Sequence, residues 1–452
     1  MQVQKTTGSP FKGYNNFYIL SAELEKNIPL SRGVIDIFGS DIPWLIMANN
    51  DDERWEKARR MGIVFFLLFL SPIFALPIAN RVGMKYCSKL VKNLSSNDHK
   101  VIHISNNDLK DVNSLKIGLE KLSEKYENGP IENAYLWLKK KMTGKKTERR
   151  SLDYLSMIKD LQKKYNLSED KAWEKLRTKL INTKNGIMCS DYLFSSLSLG
   201  SVGFINNEIT KKETGKSGFS AEFNMADKEI VEKRAQKYEE TKKYRYGTLV
   251  AASLALGSGI PLAVRHGLLS KAGGGFAKFM NKHADKFDYT KGIYMSRWSL
   301  LLGNIICCHA GALLANRNET ELKDNALRFS MADALFFGGD LVVGSIFGRL
   351  SDRFLTTDLI DKKPENLKKL LPKLRYLSDI KNTRDRKYGI ALYWLNLATI
   401  AAAMGFLVPA AANSITKKDV KKDVEKYLGA NNFSNQKFLN KFLIKNLQEY
   451  TS

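Results

Sequence analysis

The run Tyr388–Thr416, YGIALYWLNLATIAAAMGFLVPAAANSIT, contains no Asp, Glu, Lys or Arg. An α-helix rises about 1.5 Å per residue, so roughly 20 residues cross the ~30 Å hydrocarbon core of a bilayer. This run therefore reads as a transmembrane helix. Three more charge-free runs accompany it, Met61–Asn80, Tyr246–Val264 and Trp298–Asn316, each long enough for one crossing. Two weaker segments, Gly186–Ile205 and Phe329–Gly348, contain Asp191, Asp333 and Asp340 but no Lys or Arg.

The rest of the chain is charged. Its 452 residues carry a net charge of +25, and all 72 Lys and Arg lie outside the six segments, with 44 of the 47 acids. A basic nucleic-acid-binding domain would spread its Lys and Arg over folded modules. A disordered basic tail would lack the apolar blocks. Four cysteines are too few for a disulfide scaffold. The composition thus excludes nucleic acid as the partner and points to membrane lipids, with anionic headgroups facing the basic loops. A protein partner or a second copy of the chain is compatible with the same surfaces.

The expected fold is all-α, a multi-pass helical membrane protein with about six spans and a 3+3 internal repeat. An N-terminal region (1–60), including an amphipathic lead-in helix, precedes transmembrane segment 1 (61–80). A basic helical surface insertion (81–185) leads to the weak segment 2 (186–205), a charged helical linker (206–245) and segment 3 (246–264). A basic, Gly-containing linker (265–297) joins the halves. Segment 4 (298–316), the weak segment 5 (329–348), a basic amphipathic linker (349–387), segment 6 (388–412) and a basic tail (413–452) follow. Residues 1–60 show no early apolar core of a cleavable signal peptide. Basic residues flank the strong segments on both sides, so the positive-inside count leaves orientation open. The plasma (cytoplasmic) membrane is the expected location.

Short motifs recur in order and suggest the repeat. Ile78-Ala79-Asn80-Arg81 matches Leu314-Ala315-Asn316-Arg317, and Asp191-Tyr192-Leu193-Phe194 matches Asp333-Ala334-Leu335-Phe336. Arg245-Tyr246-Gly247 matches Lys387-Tyr388-Gly389, and the step from Asp191 to Gly247 equals that from Asp333 to Gly389. Three spans per half would put the second half into the membrane from the opposite side, an inverted repeat of the kind many transporters use.

Between the spans, Ser151–Asn182 predicts a helical hairpin broken at Asn166. Phe223–Arg245 predicts a charged helix. Pro364 opens a basic amphipathic helix with Leu367, Leu370, Leu371, Leu374, Leu377 and Ile380 on one face. Lys271–Gly275 reads as the flexible seam.

Few motifs carry chemistry. Gly215-Lys216-Ser217 resembles the end of a phosphate loop, but Thr210 stands where the pattern needs Gly. Cys307-Cys308-His309 points its donors in different directions on a helix, with no second cluster to finish a metal site. His99 and His103 flank a strand-like Val101, Ile102 and Ile104. No catalytic set, cofactor or metal site is expected, and an enzyme is not. The polar-path candidates are the intramembrane acids Asp340, Asp191 and Asp333, because a carboxylate in hydrocarbon normally faces a bundle interior or water. Asp340 lies nearest the middle of its segment. The helix-break candidates are Gly257 with Pro261 and Gly405 with Pro409, at matching places in the two halves. These features suggest a small-solute or ion transporter, or a pore. The alternative is a non-transporting membrane scaffold whose basic surfaces bind anionic lipid or a protein.

Overall fold

The computed structural model describes residues 12–26, 28–70, 100–124, 141, 154–270, 274–289 and 295–430, and among them the chain is all-helical. In chain order, helix α1 is Lys12–Lys26 and α2 is the continuous 28–46. Helix α3 is Asp51–Phe65, running on to residue 70. Short α4 (Lys100–His103) and α5 (Val112–Glu124) precede α6 (Tyr154–Tyr165) and α7 (Glu169–Thr214). Then come α8 (Lys228–Leu269), α9 (Gly275–Lys282), α10 (Arg297–Leu314), α11 (Glu319–Phe354), α12 (Pro364–Leu367) and α13 (383–430).

Four of these are long and apolar enough to cross a membrane: α8, α10, α11 and the Thr383–Asp423 part of α13. They contain segments 3 to 6 and fit a membrane location. Segment 1 leaves the described residues at 70. Segment 2 lies inside α7, where serines lower the hydropathy. Ser190, Ser198 and Ser201 return their hydroxyls to carbonyls one turn back, at 3.0, 2.7 and 2.6 Å, which spares them an apolar surround.

The chain divides into two compact units. The first comprises Met1–Ala58, Thr210–Gln236 and Arg317–Ser452, the second Arg59–Ile209 and Lys237–Asn316. In the second, the expected hairpin is present. Asn166 takes a left-handed φ of 50° between α6 and α7, and Leu161, Leu176 and Leu180 are wholly buried with Leu109 and Leu115. Arg177 donates to the carbonyls of Leu109, Lys110 and Leu268 at 2.8, 2.7 and 2.6 Å, tying this helical core to the end of α8.

Several expectations need correction. The amphipathic helix from Pro364 stops at Leu367, because Pro372 cannot continue it and Asn366 turns the chain back by bonding Asp361 and Lys373. Val101–His103 is helical, not a strand, and His99 lies outside the described residues, as do Pro72, Pro77, the 78–81 motif and most of the 271–275 seam. The charged linker 206–245 is divided: its start ends α7 at Thr214, and from Lys228 it is the first half of α8, continuous with segment 3. The largest omission is α2. Pro29, Gly33, Gly39 and Pro43 suggest a broken region, yet 28–46 is one helix with a π turn at Ile37–Asp41.

That π turn belongs to a pattern. Ile42–Ile46 corresponds to Ala310–Leu314, Asp51–Phe65 to Glu319–Asp333, and the π turn opening at Phe66 to the one opening at Ala334. All three pairs are separated by the same distance along the sequence. Helix α10 has its own π turn at Asn304–His309, matching that of α2. The short links after α2 and α10 are built alike. The Asn50 side chain accepts from the Glu53 amide (2.8 Å), and the Glu53 carboxylate accepts from the Asn49 amide (2.5 Å). Asn318, Glu321 and Arg317 repeat this reciprocal cap at 2.9 and 2.6 Å.

Candidate functional site

Helix α2 carries three charges, Arg32, Asp36 and Asp41, in an otherwise apolar stretch. Pro43 has no N–H for the Gly39 carbonyl, and the π turn ends just before it, at Asp41. Pro409 stands equally just beyond the π turn Ala403–Leu407 of α13. The two turns cross at backbone contact. A Cβ on Gly39 would come 2.8 Å from Ala401 Cα, and one on Gly405 would come 2.7 Å from Pro43 Cγ. The Trp44 indole donates to the Met404 carbonyl at 3.0 Å and locks the crossing. In a π turn, residues five apart share a face, so Asp36 and Asp41 point the same way. Ser40 donates to the Asp36 carboxylate at 2.7 Å.

Asp340 opens the last segment of α11, directly after the π turn Ala334–Gly339. Its Oδ2 is 2.8 Å from Arg32 Nη2, and Arg32 is only 3% exposed. The guanidinium also lies over the Phe336 ring, 5.5 Å from its centroid. Asn396 donates to the Asp340 carbonyl at 3.2 Å, and Ile35, Leu397, Ile400 and Met404 form the apolar wall. Three helices and three π turns of the first unit thus surround one ion pair.

The other candidates are placed as follows. Asp333 is half-buried at the end of α11's first segment, in the same unit. Asp191 is buried in the second unit, where the Tyr289 hydroxyl donates to it at 3.0 Å. Nearby, Lys184 and Asp288 form a buried pair at 2.5 Å; burial lowers the lysine and raises the aspartate from their ordinary values. Gly257 packs tightly against α7, where a Cβ would lie 3.1 Å from Leu193 Cδ2. Pro261 offers its carbonyl to the Asn185 amide, and α8 runs unbroken through both. Of the two helix-break pairs, Gly405 and Pro409 are therefore the ones in the unit that holds the ion pair, with Gly405 at the crossing with α2. Cys308 is buried, and His309 contacts Asn304 at 3.1 Å, on the π turn of α10.

Charge also gathers where the repeated caps meet. Arg317 binds Glu56 and Glu321 at 2.7 and 2.8 Å. Burial works against the Glu56 carboxylate, but the charge and hydrogen bonds of Arg317 outweigh it and hold Glu56 below its ordinary value. Asn50 donates to the Ser220 carbonyl (2.8 Å), and Asn318 donates to the Glu222 carboxylate (3.1 Å). Glu222 is wholly buried, which pushes it up to about 7 despite Arg234 at 3.3 Å.

Sequence reading missed Arg32, Asp36 and Asp41 because their charges remove 28–46 from any search for apolar blocks. A signal existed in a second repeat, Asn207-Glu208-Ile209-Thr210-Lys211-Lys212-Glu213 against Asn413-Ser414-Ile415-Thr416-Lys417-Lys418-Asp419. These ends of α7 and α13 make matching bonds. Asn207 donates to the Ala315 carbonyl (2.7 Å) and Asn413 to that of Met47 (2.8 Å). Comparison with protein-family models, curated proteins and solved structures returns no match to this chain.

Chemically, the site pairs one guanidinium, Arg32, with one carboxylate, Asp340. Arginine stays charged at any physiological pH, so Arg32 is a fixed positive charge facing Asp340.

Proposed function

We propose that this protein is a multi-pass membrane transporter that takes up and releases a proton at Asp340 as it moves a small solute or ion. The pair of buried Arg32 with the half-buried Asp340 carries the reading. Ionisable groups inside a membrane bundle are expensive and mark pathways, and helix irregularity at that depth is tolerated where it lines a site. Arg32 is the resident counter-ion. Protonation of Asp340 would break the pair, and the crossing at Gly39 and Gly405 would shift with it.

The repeat enters the proposal in a different register from the one the short motifs suggested. Helices α2, α3 and α7 would form one half and α10, α11 and α13 the other, with α8 between them. That arrangement has seven spans. The single helix between the halves restores parity, so both halves would enter the membrane from the same side. The contacts of the 220–222 turn support this. It touches the cap that starts α3 and the cap that starts α11, so both helices begin at the same end of the first unit.

The termini test the architecture. Seven spans put them on opposite sides of the membrane; the six-span inverted alternative puts them on the same side. Epitope tags on each end, probed in intact and permeabilised cells, are expected to react on opposite faces. For the activity, the wild-type chain in liposomes loaded with a pH-sensitive dye should acidify the lumen under an imposed potential, and protein-free liposomes should not.

A further inference from the structure

The connection between α11 and α13 presents leucines to the outside. Leu370 is 84% exposed, and Leu367 and Leu371 are exposed beside it. The loop is nonetheless held firmly. The Asn366 amide bridges Asp361 and Lys373, and Ile360 pairs with Leu374. Arg349, on α11, donates to the carbonyls of Lys369 and Leu370 at 3.4 and 2.9 Å. Leu374 lies so close over Gly348 that a Cβ there would meet its Cδ2 at 2.4 Å. The loop therefore folds back along α11 to the level of Gly348 and Arg349, more than a turn before the helix ends at Phe354.

Along that helix, Val342, Ile346, Leu350 and Phe354 are all exposed and spaced four apart, one apolar stripe on a candidate span. The loop packs on α11 at Gly344, Gly348 and Arg349, between two candidate spans, so it is a membrane-proximal element. Lys368, Lys369 and Lys373 are exposed around the leucines, and Glu365 is the loop tip's only acid. Apolar residues held outward in a basic collar match an anionic bilayer surface, with leucines entering the acyl boundary and lysines meeting phosphates.

We infer that residues 364–376 form an interfacial anchor that inserts Leu367, Leu370 and Leu371 into an anionic phospholipid leaflet. The anchor stands independently of the transport reading. To test it, a nitroxide is placed at position 370 by Leu370→Cys in full-length chain whose native cysteines are alanine. The chain is reconstituted in phosphatidylcholine nanodiscs with or without phosphatidylglycerol. The label is expected to collide more with oxygen than with an aqueous nickel chelate, and to move deeper when phosphatidylglycerol is present. Replacing Lys368, Lys369 and Lys373 together by Gln should abolish that lipid-dependent shift. A label that stays aqueous in anionic discs, as it would if a protein partner were the occupant, overturns the anchor. So does a depth that ignores lipid charge. Amide exchange of the unmodified chain is the control for misfolding: backbone protection at 367–371 should rise in anionic discs, and equal exchange in both discs contradicts the anchor.

Discussion

Helices α2 and α10 resemble each other in build. They are nearly equal in length, each has a π turn near its middle, and each ends in an Asn-based cap that starts the next long helix. Their polar residues fall in register: under the alignment that places Ile42 on Ala310, Asp36 and Asp41 of α2 stand where α10 has Asn304 and His309. The first helix is charged and holds Arg32 against Asp340. The second packs by shape, with Gly311 against Gly200 so closely that a Cβ would come 2.3 Å from the facing backbone. Helix α2 holds the charge of Arg32 inside the unit where the matching positions of α10 are neutral, and burying charge is costly.

Breaking the charged copy should have the largest effect. Arg32→Met leaves the Asp340 carboxylate without its partner and is expected to lower stability by about 3–5 kcal/mol, read as thermal unfolding in detergent. Asp340→Asn in the same chain should restore part of the loss. A single change that costs nothing would place the pair at a solvated surface. Next comes the cap network. Glu222 titrates at about 7 in the fold against 4.5 ordinarily, so its contribution is full below 4.5 and disappears as pH rises through 7. Raising the pH from below the first value to above the second should cost up to about 3 kcal/mol. Glu222→Gln should flatten this profile, and an unchanged profile would remove Glu222 as its source.

The neutral copy should respond to shape. Gly311→Ala forces the α10–α7 crossing apart and is expected to cost about 1–3 kcal/mol. Smallest is His309→Ala, which loses one hydrogen bond to Asn304, about 0.5–1.5 kcal/mol. If His309→Ala proved as costly as Arg32→Met, the distinction between the two helices would collapse.

Much of the architecture was legible because burial in lipid removes charge so completely. Segments 246–264, 298–316, 329–348 and 388–412 coincide with the helices able to span, and Asn166 marked the α6–α7 turn. The same criterion hid the site. Arg32, Asp36 and Asp41 make 28–46 look like a soluble lead-in, and Pro43 and the glycines look like breakers, although Pro43 is absorbed by a π turn and Gly39 by a helix crossing. The short motifs paired Asp191 with Asp333, but the helices that match in length and capping pair Asp333 with Phe65. Local resemblance among helices drawn from few residue types is weak beside a repeated cap. Asp340 was legible as an acid in the middle of a segment. Its partner Arg32, near the other end of the chain, was not, since nothing local to either residue announces the pair.

The central claim is that Asp340 exchanges a proton against Arg32 during transport. Proton flux into dye-loaded liposomes containing Asp340→Asn chain, at protein densities matched to wild type, tests it most directly. The account predicts that wild type carries flux and that Asp340→Asn loses at least about ten-fold of it, the loss expected when an essential proton-transfer group is removed. Equal flux in the two, or none in wild type, would contradict it.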